Sequence, residues 1–206
     1  MKNYTHQSGR SMIEILGVLA IIGVLSVGGI AGYSKAMMKI KINKTIEQIT
    51  HISQNVRIFF HNQPSYYHVG WSKMNKNVFE KAHLLPNGMK FDEDGFIKHS
   101  FDGYFEVAWA EKEKYSDYKA FSITIRDIPE EACIAIASYD WSSDSGLFAM
   151  GINSYNRNQY TGCKGMIGTN MATACLGGSK LSIPMPINIA TNACISGSNT
   201  IWFKFY

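Results

Sequence analysis

"SGRSMIEILGVLAIIGVLSVGGIAGY", residues Ser8 to Tyr33, decides how this 206-residue chain is read. From Met12 to Tyr33 the only ionisable side chains are Glu14 and Tyr33 itself. As a helix rising ~1.5 Å per residue, the stretch is long enough to cross a hydrocarbon layer of ~30 Å. The rest of the chain has no comparable run. Its apolar residues come in short clusters broken by Gly, Asn, Asp and Pro, the pattern of strands and short helices. The prediction is one membrane helix carrying one globular domain of ordinary size. A removable secretory signal fits poorly: the apolar core is too long, Glu14 sits inside it, and the helical pattern continues past Tyr33.

Beyond Tyr33, Ile42, Ile46, Ile49, Ile52 or Ser53, Val56 and Phe59 or Phe60 recur at three and four residues. Lys44, Glu47, Gln48, Gln54, Asn55 and Arg57 fall between them, which makes an amphipathic helix. It stops at Asn62-Gln63-Pro64, because proline cannot continue the hydrogen-bond ladder. Ser11 to about His61 thus reads as one helix of ~75 Å. Its first half suits lipid or other apolar helices, and its second half suits the surface of a domain.

After Pro64 the sequence predicts a loop with exposed aromatics (PSYYHVGW) and a short helix near Met74 to His83. Turns follow at Pro86-Asn87-Gly88 and Asp94-Gly95. YFEVAWAE and AFSITIRDI alternate apolar and polar residues as half-buried strands do, with KEKYSDY connecting them. In DIPEEACIAIASYDW, Pro129 opens a helix with two acids at its N-terminus and Cys133, Ile134, Ile136 and Ala137 on a buried face. GLFAMGI and TIWFKFY read as further strands. The architecture is α+β, a sheet on the long helix.

The formal net charge is +4. Lys35, Lys39, Lys41 and Lys44 follow the apolar run, while only Lys2 and Arg10 precede it, so a count of flanking charges places the domain in the cytoplasm. The cysteines oppose that. Cys133, Cys163, Cys175 and Cys194 are even in number and lack the paired C-x-x-C spacing of a structural zinc site, which reads as disulfides in an oxidising compartment. On that reading the lysines are a solvated face of the long helix.

Motifs for chemistry are missing from the sequence: there is no G-x-S-x-G, no phosphate loop and no H-E-x-x-H. His6, His51, His61, His68, His83 and His99 are scattered without ligand spacing. Asp92 to Gly95 (DEDG) lacks the later ligands of a calcium loop and reads as a turn. No basic cluster is dense enough to argue nucleic-acid binding. No enzyme activity, metal or cofactor is therefore expected.

Gly9 followed by Arg10, then SMIEILGVLAIIGVL with its acid at the fifth position after the glycine, resembles the class III signal of type IV pilins and pseudopilins. The resemblance implies a type IV pilin fold, a long N-terminal helix packed on an antiparallel sheet. It also implies cleavage by a prepilin peptidase between Gly9 and Arg10, with N-methylation of the new terminus. Arg10 departs from the family, where that residue is usually apolar. Glu14 would then neutralise the α-amino group of Arg10 on a neighbouring subunit. A lone acid at mid-bilayer costs ~2.5–3.5 kcal/mol on insertion scales, so such a partner favours assembly. A local reading pairs Glu14 with the guanidinium of its own Arg10. Gly17, Gly23, Gly28, Gly29 and Gly32 would let packed helices approach closely, Gly28-x-x-x-Gly32 having the small-xxx-small spacing, although glycine is common in any membrane helix.

The I-P-x-x-A-C helix, the late Asn192-Ala193-Cys194 and the aromatic last strand resemble type IVb pilins in particular. Of the three possible pairings, that resemblance favours Cys133 with Cys194 and Cys163 with Cys175. It divides the chain into a leader at 1–9, a membrane and assembly half-helix at 10–34, an amphipathic half-helix at 35–62 and a head at 63–206 with a disulfide-bonded region at 133–194. The implied function is a structural subunit that polymerises into a pilus. Its partners would be further copies of itself, minor pilins, the prepilin peptidase, an inner-membrane platform protein and an assembly ATPase. Before assembly it would be single-pass in the bacterial inner membrane with a periplasmic head, and extracellular afterwards. The alternatives are a minor pilin or secretion pseudopilin of the same fold, and a membrane-tethered enzyme or binding protein.

Overall fold

In the computed structural model, residues 12–69, 72–110, 118–141, 146–153, 172–175 and 181–206 are described. The chain forms two compact units that divide between Ile40 and Lys41. Helix α1, Met12–Phe60, supplies residues to both. It is continuous, as its pattern predicts, and its last turn closes where Gln63 N–H donates to Phe60 O at 2.9 Å, just before Pro64.

In the larger unit, α1 buries Ile42, Ile46, Ile49, Ile52, Val56 and Phe60, steps of three and four that keep one stripe inward. The open choices resolve by angle: Ile52 and Ser53 are both buried, and Phe60 is buried while Phe59 is exposed. Thr45 and Ser53 satisfy their hydroxyls on the helix itself, donating to Lys41 O at 2.9 Å and Thr50 O at 2.8 Å. Gln48, expected on the polar face, is buried. Four residues before Ile52, it falls on the border of the stripe rather than opposite it.

Among the described residues the sheet has six strands: β1 Ile97–Lys98, β2 Tyr104–Ala110, β3 Ala120–Ile128, β4 Leu147–Ile152, β5 Ala172–Cys175 and β6 Asn199–Phe205. Their spatial order is β1-β2-β3-β6-β4-β5, and every neighbouring pair is antiparallel. The register puts Val107, Ile123 and Phe203 in one row and Trp109, Phe121 and Phe205 in the next, building an apolar face. Tyr66 links that face to α1, its ring centroid 5.7 Å from Phe60 and 5.0 Å from Phe121.

β2 and β3 were expected to be half-buried, and they are buried on nearly every residue of both faces. The second face carries Glu106, Ser122, Thr124 and Lys204, all buried. Alternation correctly reports which face is apolar, but it carries no information on whether the polar face is also covered. There β6 contributes Trp202 and Lys204, with the ammonium 5.6 Å from the indole centroid. Glu106 is answered across the strands by Arg126, whose Nη2 lies 3.1 Å from its Oε2.

Helix α2 spans Ser72–Lys81, slightly earlier than predicted, and anchors through Phe79, edge-to-face with Phe91 at 6.3 Å. Helix α3, Glu130–Ala137, starts after Pro129 with Glu130 and Glu131 in its first turn. Its buried face is Ala132, Cys133, Ile136 and Ala137; Ile134, expected among them, is only half-buried. Helix α4, Ile187–Ala193, has no counterpart in the sequence reading. The DEDG turn closes on Asp92, which accepts the Gly95 N–H on its carbonyl and the Phe96 N–H on its carboxylate, with Gly95 in the left-handed region.

Candidate assembly surface

In the first unit, α1 carries its apolar side chains outward. Leu16, Val24 and Val27 are 65%, 75% and 72% exposed, and this part of α1 is long and apolar enough to cross a membrane. Among the described residues of this unit nothing covers this surface, which suits lipid or other helices. Glu14 lies in the first turn of α1, exposed. A Cβ built on Gly17, Gly23, Gly28, Gly29 or Gly32 meets nothing within 4 Å. Among the described residues the glycines therefore answer no packing need, and each offers a place where another backbone can come close.

In the head, a disulfide joins Cys133 of α3 to Cys194 at the end of α4, with the Cα atoms 5.9 Å apart. Two asparagines, invisible to a motif search, hold the same corner. Asn199 accepts the Ile195 N–H at 2.8 Å and returns its amide to Ile195 O at 2.8 Å. Asn153 donates to Asn199 Oδ1 at 2.9 Å and to Ala193 O at 3.1 Å, and accepts the Thr200 N–H at 2.9 Å. The end of α4, the last strand and the residue after β4 are thereby pinned together. The only local clue is that Asn tolerates the left-handed backbone found at Asn153.

Away from that corner, His99 locks the β1–β2 turn: Nε2–H donates to Arg126 O at 2.7 Å and Nδ1 accepts the Phe101 N–H at 3.2 Å. Both nitrogens are thus used by the neutral ring. Burial pushes the imidazole below its ordinary pKa, against the opposing effects of the Arg126 carbonyl and the Asp127 and Asp102 charges. An open cleft of about 670 Å³ at the end of α1 is lined by Arg57, His61, Tyr66, Lys119 and Tyr206 among others. Burial raises the Tyr66 hydroxyl's pKa, with Arg57 partly offsetting it. Among the described lining residues there is no nucleophile with a base and an orienting acid.

Of the residues singled out from sequence, Glu14 and the five glycines Gly17, Gly23, Gly28, Gly29 and Gly32 lie on the exposed part of α1, and Cys133 with Cys194 form the bridge in the head. Gly9, Arg10 and Cys163 lie outside the described residues, as do residues 112–117 of the KEKYSDY connection. Cys175 is the last residue of β5.

A long N-terminal helix leading into an antiparallel sheet, with helices bridged by a disulfide beside the last strand, is the architecture of type IV pilins. The chain belongs to the PilS family, whose N-terminal profile matches residues 39–203. No curated protein sequence matches it. Among solved structures it is similar to the type IV b pilin from Salmonella typhi, at 18% identity and a TM-score of 0.50, covering 77% of this chain and 95% of that one. It is also similar to TcpA, a type IV pilin from the Vibrio cholerae El Tor biotype, at 8% identity and a TM-score of 0.55, covering 81% and 99%. Family and fold are those of pilins, which are structural proteins.

Proposed function

We propose that this chain is the structural subunit of a type IV pilus and enters the filament through the N-terminal part of α1. The observation that carries the proposal is the uncovered apolar surface of that helix in a member of the PilS family. Before assembly the surface is solvated by the inner membrane, with the head in the periplasm, an oxidising compartment in which the Cys133–Cys194 bridge persists. Prepilin peptidase cuts between Gly9 and Arg10, and the freed amine is N-methylated. In the filament, helices replace lipid around the apolar run. The buried amine of Arg10 then meets Glu14 of the adjoining subunit, so the acid sets axial register. The platform protein and assembly ATPase supply the work of extraction, and minor pilins share the fibre.

Proteomics of fibres sheared from cells tests this directly. The chain should be abundant there, and mass spectrometry should find its first residue to be Arg10. A chain that stays in the membrane fraction with Met1 intact while fibres form without it refutes the proposal.

A further inference from the structure

Lys35 and Lys39 lie in the first unit, one turn apart on the same face of α1, and both are exposed. Neither side chain has a hydrogen bond or an ion pair among the described residues. They follow the apolar stretch that ends at Tyr33, by ~3 Å and ~9 Å along the helix axis. A bilayer of ~30 Å hydrocarbon and ~40–45 Å overall has a headgroup layer of roughly 5–8 Å on each side. With the hydrocarbon ending at Tyr33, both ammonium groups reach that layer, and Tyr33 itself is the amphipathic ring expected at such a boundary. The next two lysines belong to the head unit, where Lys44 is exposed like Lys35 and Lys39, and Lys41 is not. Lys41 is half-buried with its ammonium 5.8 Å from the Phe101 ring centroid, and Lys44 borders a groove with His83 and Asn87.

We propose that Lys35 and Lys39 form a binding surface for anionic phospholipid headgroups. Their ligand is a phosphodiester bearing a net negative charge, held at the bilayer rather than free in solution. The inference rests on α1 crossing a membrane, and it holds whichever leaflet receives the lysines. Two cations at headgroup depth attract anionic lipid by about fivefold each. The subunit would therefore wait in the membrane with an anionic lipid collar, which it must shed when helices replace lipid around it.

The full chain, reconstituted in phosphatidylcholine bilayers, is examined by electron paramagnetic resonance with spin-labelled phosphatidylglycerol or phosphatidylcholine. The motionally restricted fraction of each lipid gives the ratio of their association constants. The wild-type ratio should favour phosphatidylglycerol and fall by about fivefold per lysine in K35Q/K39Q. K35R/K39R should preserve it, and 1 M salt should abolish it as the screening length shrinks to ~3 Å. A wild-type ratio near one, or a ratio unchanged in K35Q/K39Q, overturns the proposal. So does inorganic phosphate displacing the lipid more strongly than chloride at equal ionic strength, which would assign a phosphate site. If neither lipid is restricted, the membrane-crossing reading itself fails, an outcome distinct from both lipids being restricted equally.

Discussion

Removing the Cys133–Cys194 bridge should lower head stability by about 4 kcal/mol. The two residues are 61 apart in sequence, and the chain-entropy relation for a loop of that length gives about 4.3 kcal/mol at 25 °C. If Cys163 and Cys175 are also joined, the effective loop shortens by roughly a fifth, which changes the figure by only about 0.2 kcal/mol. For a domain of this size the loss corresponds to a fall in melting temperature of roughly 8–16 °C. The assay is urea unfolding of the full chain in mild detergent, followed by tryptophan fluorescence, for C133A, C194A and the double variant. A cross-link is lost when either sulfur is removed, so the two single variants and the double should be destabilised about equally. Both sulfurs are also buried, and a loss that came only from packing would make the two single effects add up in the double variant. Additive singles, or a double variant within 1 kcal/mol of wild type, would refute the loop-entropy reasoning.

Glu14→Ala should leave membrane insertion and head folding unchanged while reducing pilus number, scored by electron microscopy; normal piliation would reduce Glu14 to a local partner of Arg10. Gly103→Ala should cost roughly 1–3 kcal/mol in the same urea assay, because a Cβ there collides with the Arg126 carbonyl and the His99 ring; wild-type stability would show that the β1–β2 turn yields freely. His99 is held below its ordinary pKa in the fold, so the unfolded chain takes up the proton first and protonation favours unfolding. Stability due to His99 is therefore full above about pH 6.5 and declines as pH falls from there toward the lowered folded value. His99→Gln should flatten the dependence of the urea midpoint between pH 7.5 and 5.5, and an unchanged slope would remove His99 from that role.

What the sequence made legible follows the strength of its periodic signals. The apolar run and the Ile42 to Phe60 stripe are long patterns, so α1 could be read as one continuous helix and its C-terminal end placed to within a residue or so. β2, β3 and β6 were readable from alternation and aromatic content. α4 was not: its seven residues, INIATNA, contain two β-branched isoleucines and two asparagines, and the helix depends on Pro186 before it and on the tethers at Cys194 and Asn153 after it. Those tethers connect residues about forty to sixty apart in the sequence. No local rule reports such distances. The same limit hid the Asn153–Asn199 pair and the use of both His99 nitrogens, whereas Glu14 stood out because one charge in an apolar run is conspicuous without any fold.

The position of β6 bears on how the head comes into being. β6 follows the other described strands in sequence yet lies between β3 and β4 rather than at an edge, so without Asn199–Phe205 the described strands form two separate pieces with open margins. A chain interrupted a few residues short of Phe205 would leave not a slightly shortened head but two unjoined half-sheets, and the partner of Cys133 comes only just before that strand. Closure of the head thus acts as a test on the polypeptide: a chain that has passed it extends at least as far as Phe205.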